Sequence, residues 1–295
     1  MPLIENKSFS SIIKHDELDC LHINHPDFFA EICLQGAQLT QFKHRLQGDF
    51  LWLSPTVQYK QGQSLRGGVP ICWPWFGILD KNPSSVTDCV NGPQGSHGFA
   101  RNQCWELSNI TETQDSVMIE LTLKHSQQSL AVWPFKFELT CRFTFSEKLT
   151  IELITQNLDE KVFTISQALH TYFPVDDIST VSIHGADSHK YVDALDDWQI
   201  KHQQQAIQFN QEVDRIYLGN IEYKFKSEHE CFELNSNSHS SVVWNPWINK
   251  SKTLSQFPDD AYQSMLCIEN ANVLDDVITV KPNQTHTLSM TLIKR

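Results

Sequence analysis

Alternation of apolar and polar residues is the feature that most narrows what this chain can become. From Phe135 to Phe145 every second residue is apolar (Phe135, Phe137, Leu139, Cys141, Phe143, Phe145), with Lys136, Glu138, Thr140, Arg142 and Thr144 between them. Successive strand side chains point to opposite faces, so this run predicts a long strand with one buried face. Leu149, Ile151 and Leu153 follow after a Ser-Glu-Lys turn, and Val117, Ile119, Leu121 and Leu123 precede them. Val181 and Ile183, Phe232 and Leu234, and Leu288, Met290 and Leu292 repeat the pattern. No long amphipathic helix and no strand–helix–strand rhythm interrupts it. Many strands separated by Gly, Pro, Asn and Asp predict an all-β fold, a large antiparallel sandwich or barrel with few short helices. A short helical turn is expected between Asp193 and Lys201. No Gly/Ser linker, composition shift or repeat divides the chain, so residues 1–295 read as one domain.

Composition excludes several function classes. The formal net charge is -12, whereas nucleic-acid binding needs a basic footprint, so no nucleic-acid partner is expected. No apolar run approaches the ~20 residues that span a bilayer, and the N-terminus carries no signal-peptide pattern. The 8 cysteines are scattered, form no C-x-x-C pair and often fall at apolar strand positions. Reduced, buried thiols in a cytosolic, cytoplasmic protein are the reading that follows. The 13 histidines suggest metal binding only weakly, since neither His22 and His25 nor His184 and His189 belong to an H-x-H with a following Glu. No metal and no cofactor is therefore expected.

Three stretches break the strand pattern. Arg66 opens a Gly-Gly-Val-Pro-Ile-Cys-Trp-Pro-Trp-Phe-Gly run to Gly77, in which paired glycines permit close backbone approach. It lacks the G-x-x-x-x-G-K-[ST] pattern of a P-loop. His97 lies between small residues, with Arg101 four positions on, and arginine suits a phosphate or carboxylate. Near the C-terminus, Trp244-Asn-Pro-Trp247 precedes a strand-like run, Met265 to Ile268, followed by Glu269. A carboxylate there is costly unless paired or used, and burial would make it a base of raised pKa. His170 is embedded in another apolar run, Ser166 to Asp177, ended by Pro174. Trp73, Trp75, Trp244 and Trp247 serve either as stacking faces for a sugar or as core.

Taken together, Arg66-Gly-Gly-Val-Pro-Ile-Cys-Trp-Pro-Trp-Phe-Gly77, His97-Gly-Phe-Ala-Arg101, Ala168-Leu-His-Thr-Tyr-Phe173, Val243-Trp-Asn-Pro246 and Cys267-Ile-Glu269 resemble the D-hexose-6-phosphate mutarotases, or glucose-6-phosphate 1-epimerases. These belong to the wider aldose 1-epimerase, galactose mutarotase-like group. The resemblance implies a β-supersandwich and an isomerase that interconverts the anomers of a hexose 6-phosphate. It implies His170 as general acid/base at the ring oxygen and Glu269 as general base at the anomeric hydroxyl, facing each other across the sugar ring. It further implies that His97 assists, that Arg66 and Arg101 bind substrate and phosphate, and that Asp214 binds a sugar hydroxyl. Lys250 and Lys252 are also available to the phosphate. Trp244 is the aromatic expected at the substrate. The implied partner is a small-molecule sugar phosphate, and the implied state a monomer.

Ring opening needs one group to take the proton of the C1 hydroxyl and another to give one to the ring oxygen. A carboxylate and an imidazolium suit those tasks. The alternatives are an aldose 1-epimerase for free hexoses, a non-catalytic carbohydrate-binding sandwich, and a glycosidase pairing Glu269 with Asp176, Asp177 or Asp214.

Overall fold

A computed structural model describes residues 3–226 and 231–295. The alternating runs become one eight-stranded antiparallel sheet. Its order is Ser182–His184, Tyr223–Lys226, Cys231–Ser236, Thr285–Lys294, Leu149–Asn157, Phe137–Phe145, Val117–Lys124, Glu106–Glu112. In Phe137–Phe145 and Leu149–Asn157 every odd residue is buried and every even one half-buried. Leu149 pairs with Phe145 and with Leu292, so apolar residues of three strands share one face. A one-residue slip would turn that whole row to solvent, which pins the register.

A five-stranded sheet precedes it in the chain: Ser10–His15, Leu18–Asn24, Phe28–Cys33, Gln38–His44 and Gly48–Asp49, in sequence order. A second eight-stranded sheet carries the rest. Its order is Gln199–His202, Lys190–Asp193, Val213–Leu218, Ser240–Asn245, Met265–Asn272, Gln167–Leu169, Ile71–Cys72, with Tyr172–Pro174 also paired to Met265–Asn272. One apolar cluster joins Phe143 and Leu153 of the long sheet to Phe28 and Phe42 of the N-terminal sheet and to Val243, Leu266 and Ile268 of the other. Only three short α-helices are present among the described residues, the longest being Gln127–Val132.

The expected helical turn between Asp193 and Lys201 is instead a β-hairpin, because Lys190–Asp193 pairs antiparallel with Gln199–His202. Asp193 drives the reversal: its carboxylate accepts from the Leu195 amide at 3.2 Å and from Lys201 Nζ at 2.8 Å. The Arg66–Gly77 loop is irregular except for Ile71–Cys72. Gly68 has φ +65°, and a Cβ there would collide with the Leu39 carbonyl, so the backbone of that loop lies against the N-terminal sheet. All eight cysteines are free, and Cys104 departs from the expected burial by being exposed. No helix of the described residues is long and apolar enough to cross a membrane.

Candidate active site

The strand Met265–Asn272 is buried along its whole length, with neighbours on both sides. Alternation sends Leu266 and Ile268 into the main core. Cys267, Glu269 and Ala271 therefore project to the opposite face. The adjoining strands do the same: Val243 packs in the main core, whereas Val242 belongs to a smaller cluster with Ala168 and Ala271. This second face is the floor of a cleft.

The stretch around His170 is not one strand. Gln167–Leu169 and Tyr172–Pro174 pair with Met265–Asn272 in a single register, Leu169 opposite Asn270 and Tyr172 opposite Cys267. His170 thus falls opposite Glu269, in the gap between the two segments. There the backbone leaves the ladder, and the His170 amide donates to the Pro70 carbonyl at 3.0 Å. The side chains meet with His170 Nε2 3.3 Å from Glu269 Oε1. Their other polar atoms, His170 Nδ1 and Glu269 Oε2, are buried without a hydrogen-bond partner. The separation leaves no room for a sugar ring between them, which corrects the expectation that they face each other across it. The pair instead presents one edge to the cleft.

Burial lowers the pKa of His170 well below the usual imidazole range, and His97, Arg66 and Arg101 push the same way. Burial raises Glu269 well above the usual carboxyl range, with Asp214 adding to it. Both directions favour a neutral imidazole beside a carboxylic acid, in contrast to the expected imidazolium and carboxylate. The pair carries one proton in either form.

The cleft has a volume of about 470 Å³. Of the residues singled out from sequence, Arg66, His97, His170, Asp214, Trp244 and Glu269 line it, and so does Lys250. Lys252 does not. Arg101 is not among them but lines an adjoining cavity of about 370 Å³, which shares Arg66, His97 and His170 with the first. Those three side chains stand between the two compartments.

His97 has φ +65° and its amide donates to the Gly77 carbonyl at 2.8 Å. The Gly77 amide donates back to His97 Nδ1 at 3.2 Å. Burial first, then Arg101 and Arg66, lower its pKa to about 3, so the ring is neutral. With Nδ1 accepting, the proton sits on Nε2, making His97 a fixed donor. Gly98 makes this bend possible, since it also has positive φ and a Cβ there would meet the Trp73 carbonyl.

Arg66 donates to the Tyr172 hydroxyl at 3.3 Å and the Ser255 carbonyl at 3.4 Å. Arg101 donates to the Ser96 carbonyl at 3.0 Å, and its Nε is buried with no partner. Neither makes an ion pair among the described residues, in a protein of net charge -12. Asp214 is directly opposite Trp244 in the ladder. Its pKa rises to about 6, through burial and then Glu212, with Lys250 opposing.

Trp73 and Trp75 are not stacking faces. Both are fully buried, with their indole N–H groups on Thr155 Oγ1 and the Gly95 carbonyl. Trp247 packs on Tyr262. Trp244 does line the cleft, edge-on to His170 at 6.1 Å. Sequence reasoning missed Trp198 and Lys81, which line the cleft with the ammonium 5.4 Å from the indole centroid. No sequence signal marks them, because their meeting depends on the hairpin turn. It also missed Tyr172 as a site residue, although it lies in the same motif as His170. Tyr172 stacks on His170 at 4.9 Å and 11° while accepting from Arg66.

Comparison with known proteins gives the family and the fold. Residues 19–292 match the family model described as Aldose 1-epimerase. A protein of Escherichia coli (strain K12) named "Putative glucose-6-phosphate 1-epimerase" is 33% identical over 292 residues, 97% of this chain and 94% of that protein. A protein of the same name from Cenchrus ciliaris is 34% identical over 86% of this chain and 78% of its own length. Among solved structures, one titled a "putative mutarotase" from Salmonella typhimurium superposes with a TM-score of 0.88 at 30% identity, covering 100% of this chain and 96% of the other. Galactose 1-epimerase from Lactobacillus acidophilus NCFM shares the fold, with a TM-score of 0.75 at 13% identity and coverage of 98% and 99%.

Proposed function

The chain belongs to the aldose 1-epimerase family, an enzyme family of anomer interconversion, and we propose that its substrate is a hexose 6-phosphate, D-glucose 6-phosphate first. The observation that carries the chemistry is the His170–Glu269 contact, made between two residues that line the cleft. In a hemiacetal the hydroxyl and ring oxygens share one carbon. Two groups 3.3 Å apart can therefore reach one oxygen each from a single side. One accepts the hydroxyl proton while the other protonates the ring oxygen as the C1–O5 bond breaks. The open aldehyde turns about C1–C2 and recloses with the roles exchanged. A pair holding one proton suffices for both directions.

The phosphate is assigned to the second compartment, between Arg66 and Arg101. A dianion there would offset the positive field that helps to depress His170. The proton could then pass from Glu269 to His170, giving a carboxylate at the hydroxyl and an imidazolium at the ring oxygen. His97 would donate from Nε2, Asp214 would accept from a sugar hydroxyl, and Trp244 would offer an apolar face. A free hexose would leave both arginines without an anionic partner.

Saturation-transfer NMR of anomer exchange tests the reading, with D-glucose 6-phosphate compared against free glucose, galactose and mannose and their 6-phosphates. Catalysed exchange that favours the 6-phosphates supports it. Faster exchange of free hexoses would overturn the substrate assignment, and no exchange of any would overturn the enzymatic one.

A further inference from the structure

The N-terminal sheet carries a cluster that the cleft does not use. His15, His22 and Glu31 come from its first three strands and converge on one point. His22 lies directly opposite Glu31 in the register. His15 Nε2 and His22 Nε2 are each 2.7 Å from the same carboxylate oxygen, Glu31 Oε2. The three ligand atoms all lie within 4.8 Å of one another. We propose that this cluster is a binding site for a first-row divalent cation of the zinc type, coordinated by His15 Nε2, His22 Nε2 and Glu31 Oε2.

Three observations support the assignment. Two imidazoles and one carboxylate are a donor set suited to Zn²⁺ and its neighbours, and unsuited to calcium or magnesium, which prefer all-oxygen sites. Glu31 is 1% exposed, and its other oxygen is already held by the Thr40 hydroxyl at 2.6 Å and the Tyr59 hydroxyl at 3.0 Å. Such outer partners fix a ligating carboxylate and leave one oxygen to the cation. The third is access. The His15 and His22 side chains are 37% and 19% exposed, so water can complete the shell from outside.

Entry of the cation replaces two hydrogen bonds. The proton on each Nε2 moves to Nδ1 or to water, and the cation takes its place. Tetrahedral ligands at about 2.1 Å stand about 3.4 Å apart, so the imidazoles must swing outward by roughly 0.7 Å. Their exposure lets them do so without moving the buried carboxylate. The result ties together three consecutive strands, and through Tyr59 it also fixes the loop that leads to Arg66. The site shares no residue with the cleft, so it stands independently of the proposed reaction.

The test is a titration of the chelator-stripped full chain with Co²⁺ and with Zn²⁺, read by calorimetry and by the cobalt d–d spectrum. One cation per chain is expected, with a rise in Tm. Affinity should fall at least 100-fold in His15→Ala/His22→Ala and about 10- to 100-fold in Tyr59→Phe. It should be unchanged in Cys20→Ser/Cys33→Ser, whose thiols lie nearby on the same strands. Unchanged Tm of each variant in chelator, together with unchanged anomer exchange, shows that the fold is intact. Because His15 and His22 are partly exposed, their replacement keeps the test valid even if Glu31→Gln fails to fold. Absence of binding at millimolar cation, stoichiometry that survives the double histidine variant, or loss in the cysteine variant would each overturn the proposal.

Discussion

His170 stands opposite Glu269 across a gap in the ladder, with Nε2 3.3 Å from Oε1, and both residues keep one buried polar atom unpartnered. Such an arrangement costs stability and persists only where the surroundings impose it. Replacing either residue is expected to remove catalysed anomer exchange. His170→Ala and Glu269→Gln should each lower kcat by about 10²–10⁴-fold, the usual scale of positioned proton transfer. Glu269→Gln should keep or raise Tm, because it removes an ionisable group that burial disfavours. Near-normal exchange rates in both variants, followed by saturation-transfer NMR, would refute the assignment.

The two arginines are expected to act on substrate choice. Arg66→Ala and Arg101→Ala should raise KM for glucose 6-phosphate at least tenfold while changing that for free glucose little. This follows from the strength of charge-assisted bonds between guanidinium and phosphate. Steady-state kinetics on both sugars checks it, and equal effects on the two would place the phosphate elsewhere.

Asp214 sets a pH dependence. Its folded pKa, about 6, lies above the ordinary aspartate value, so the folded state holds an extra proton between the two values. The associated stability is full at pH below the ordinary value and is lost as pH rises through 6. Asp214→Asn should therefore raise Tm more at pH 7.5 than at pH 5. In the wild-type enzyme KM should climb as pH falls below 6, where the acceptor becomes protonated. Thermal scans and kinetics at the two pH values provide the check, and a pH-independent Tm difference would contradict it.

Gly68→Ala and Gly98→Ala should each destabilise by about 2 kcal/mol or more, since both need positive φ and abut a carbonyl. Gly98→Ala should additionally depress kcat by disturbing His97. Denaturant unfolding and single-turnover rates separate the two effects. Wild-type stability in both variants would show that the loops have room to relax.

Much of this was readable because alternation is a local property. Phe137 to Phe145 fixes its own buried face, and its neighbours repeat it. Glu269 was visible as a charge in an apolar strand, and the loops of Arg66, His97 and Arg101 as density of Gly, Pro and Trp. What escaped depends on contacts between distant segments. The break at His170 arises from its register with Met265–Asn272, and the hairpin at Asp193 from pairing with Gln199–His202. Trp73 and Trp75 look like Trp244 in sequence, yet the fold buries them. Sequence spacing groups His22 with His25, three residues away, whereas its neighbours in space are His15 and Glu31.

The His170–Glu269 pair rests on one register of a buried ladder, whereas Arg66 and Arg101 ride on separate loops. This division has an evolutionary consequence. On the proposed roles, insertions and substitutions in the loops can exchange the anionic handle of the substrate for another group without moving the atoms proposed to pass the proton. Descent within this architecture can thus vary what is recognised while the reaction stays the same.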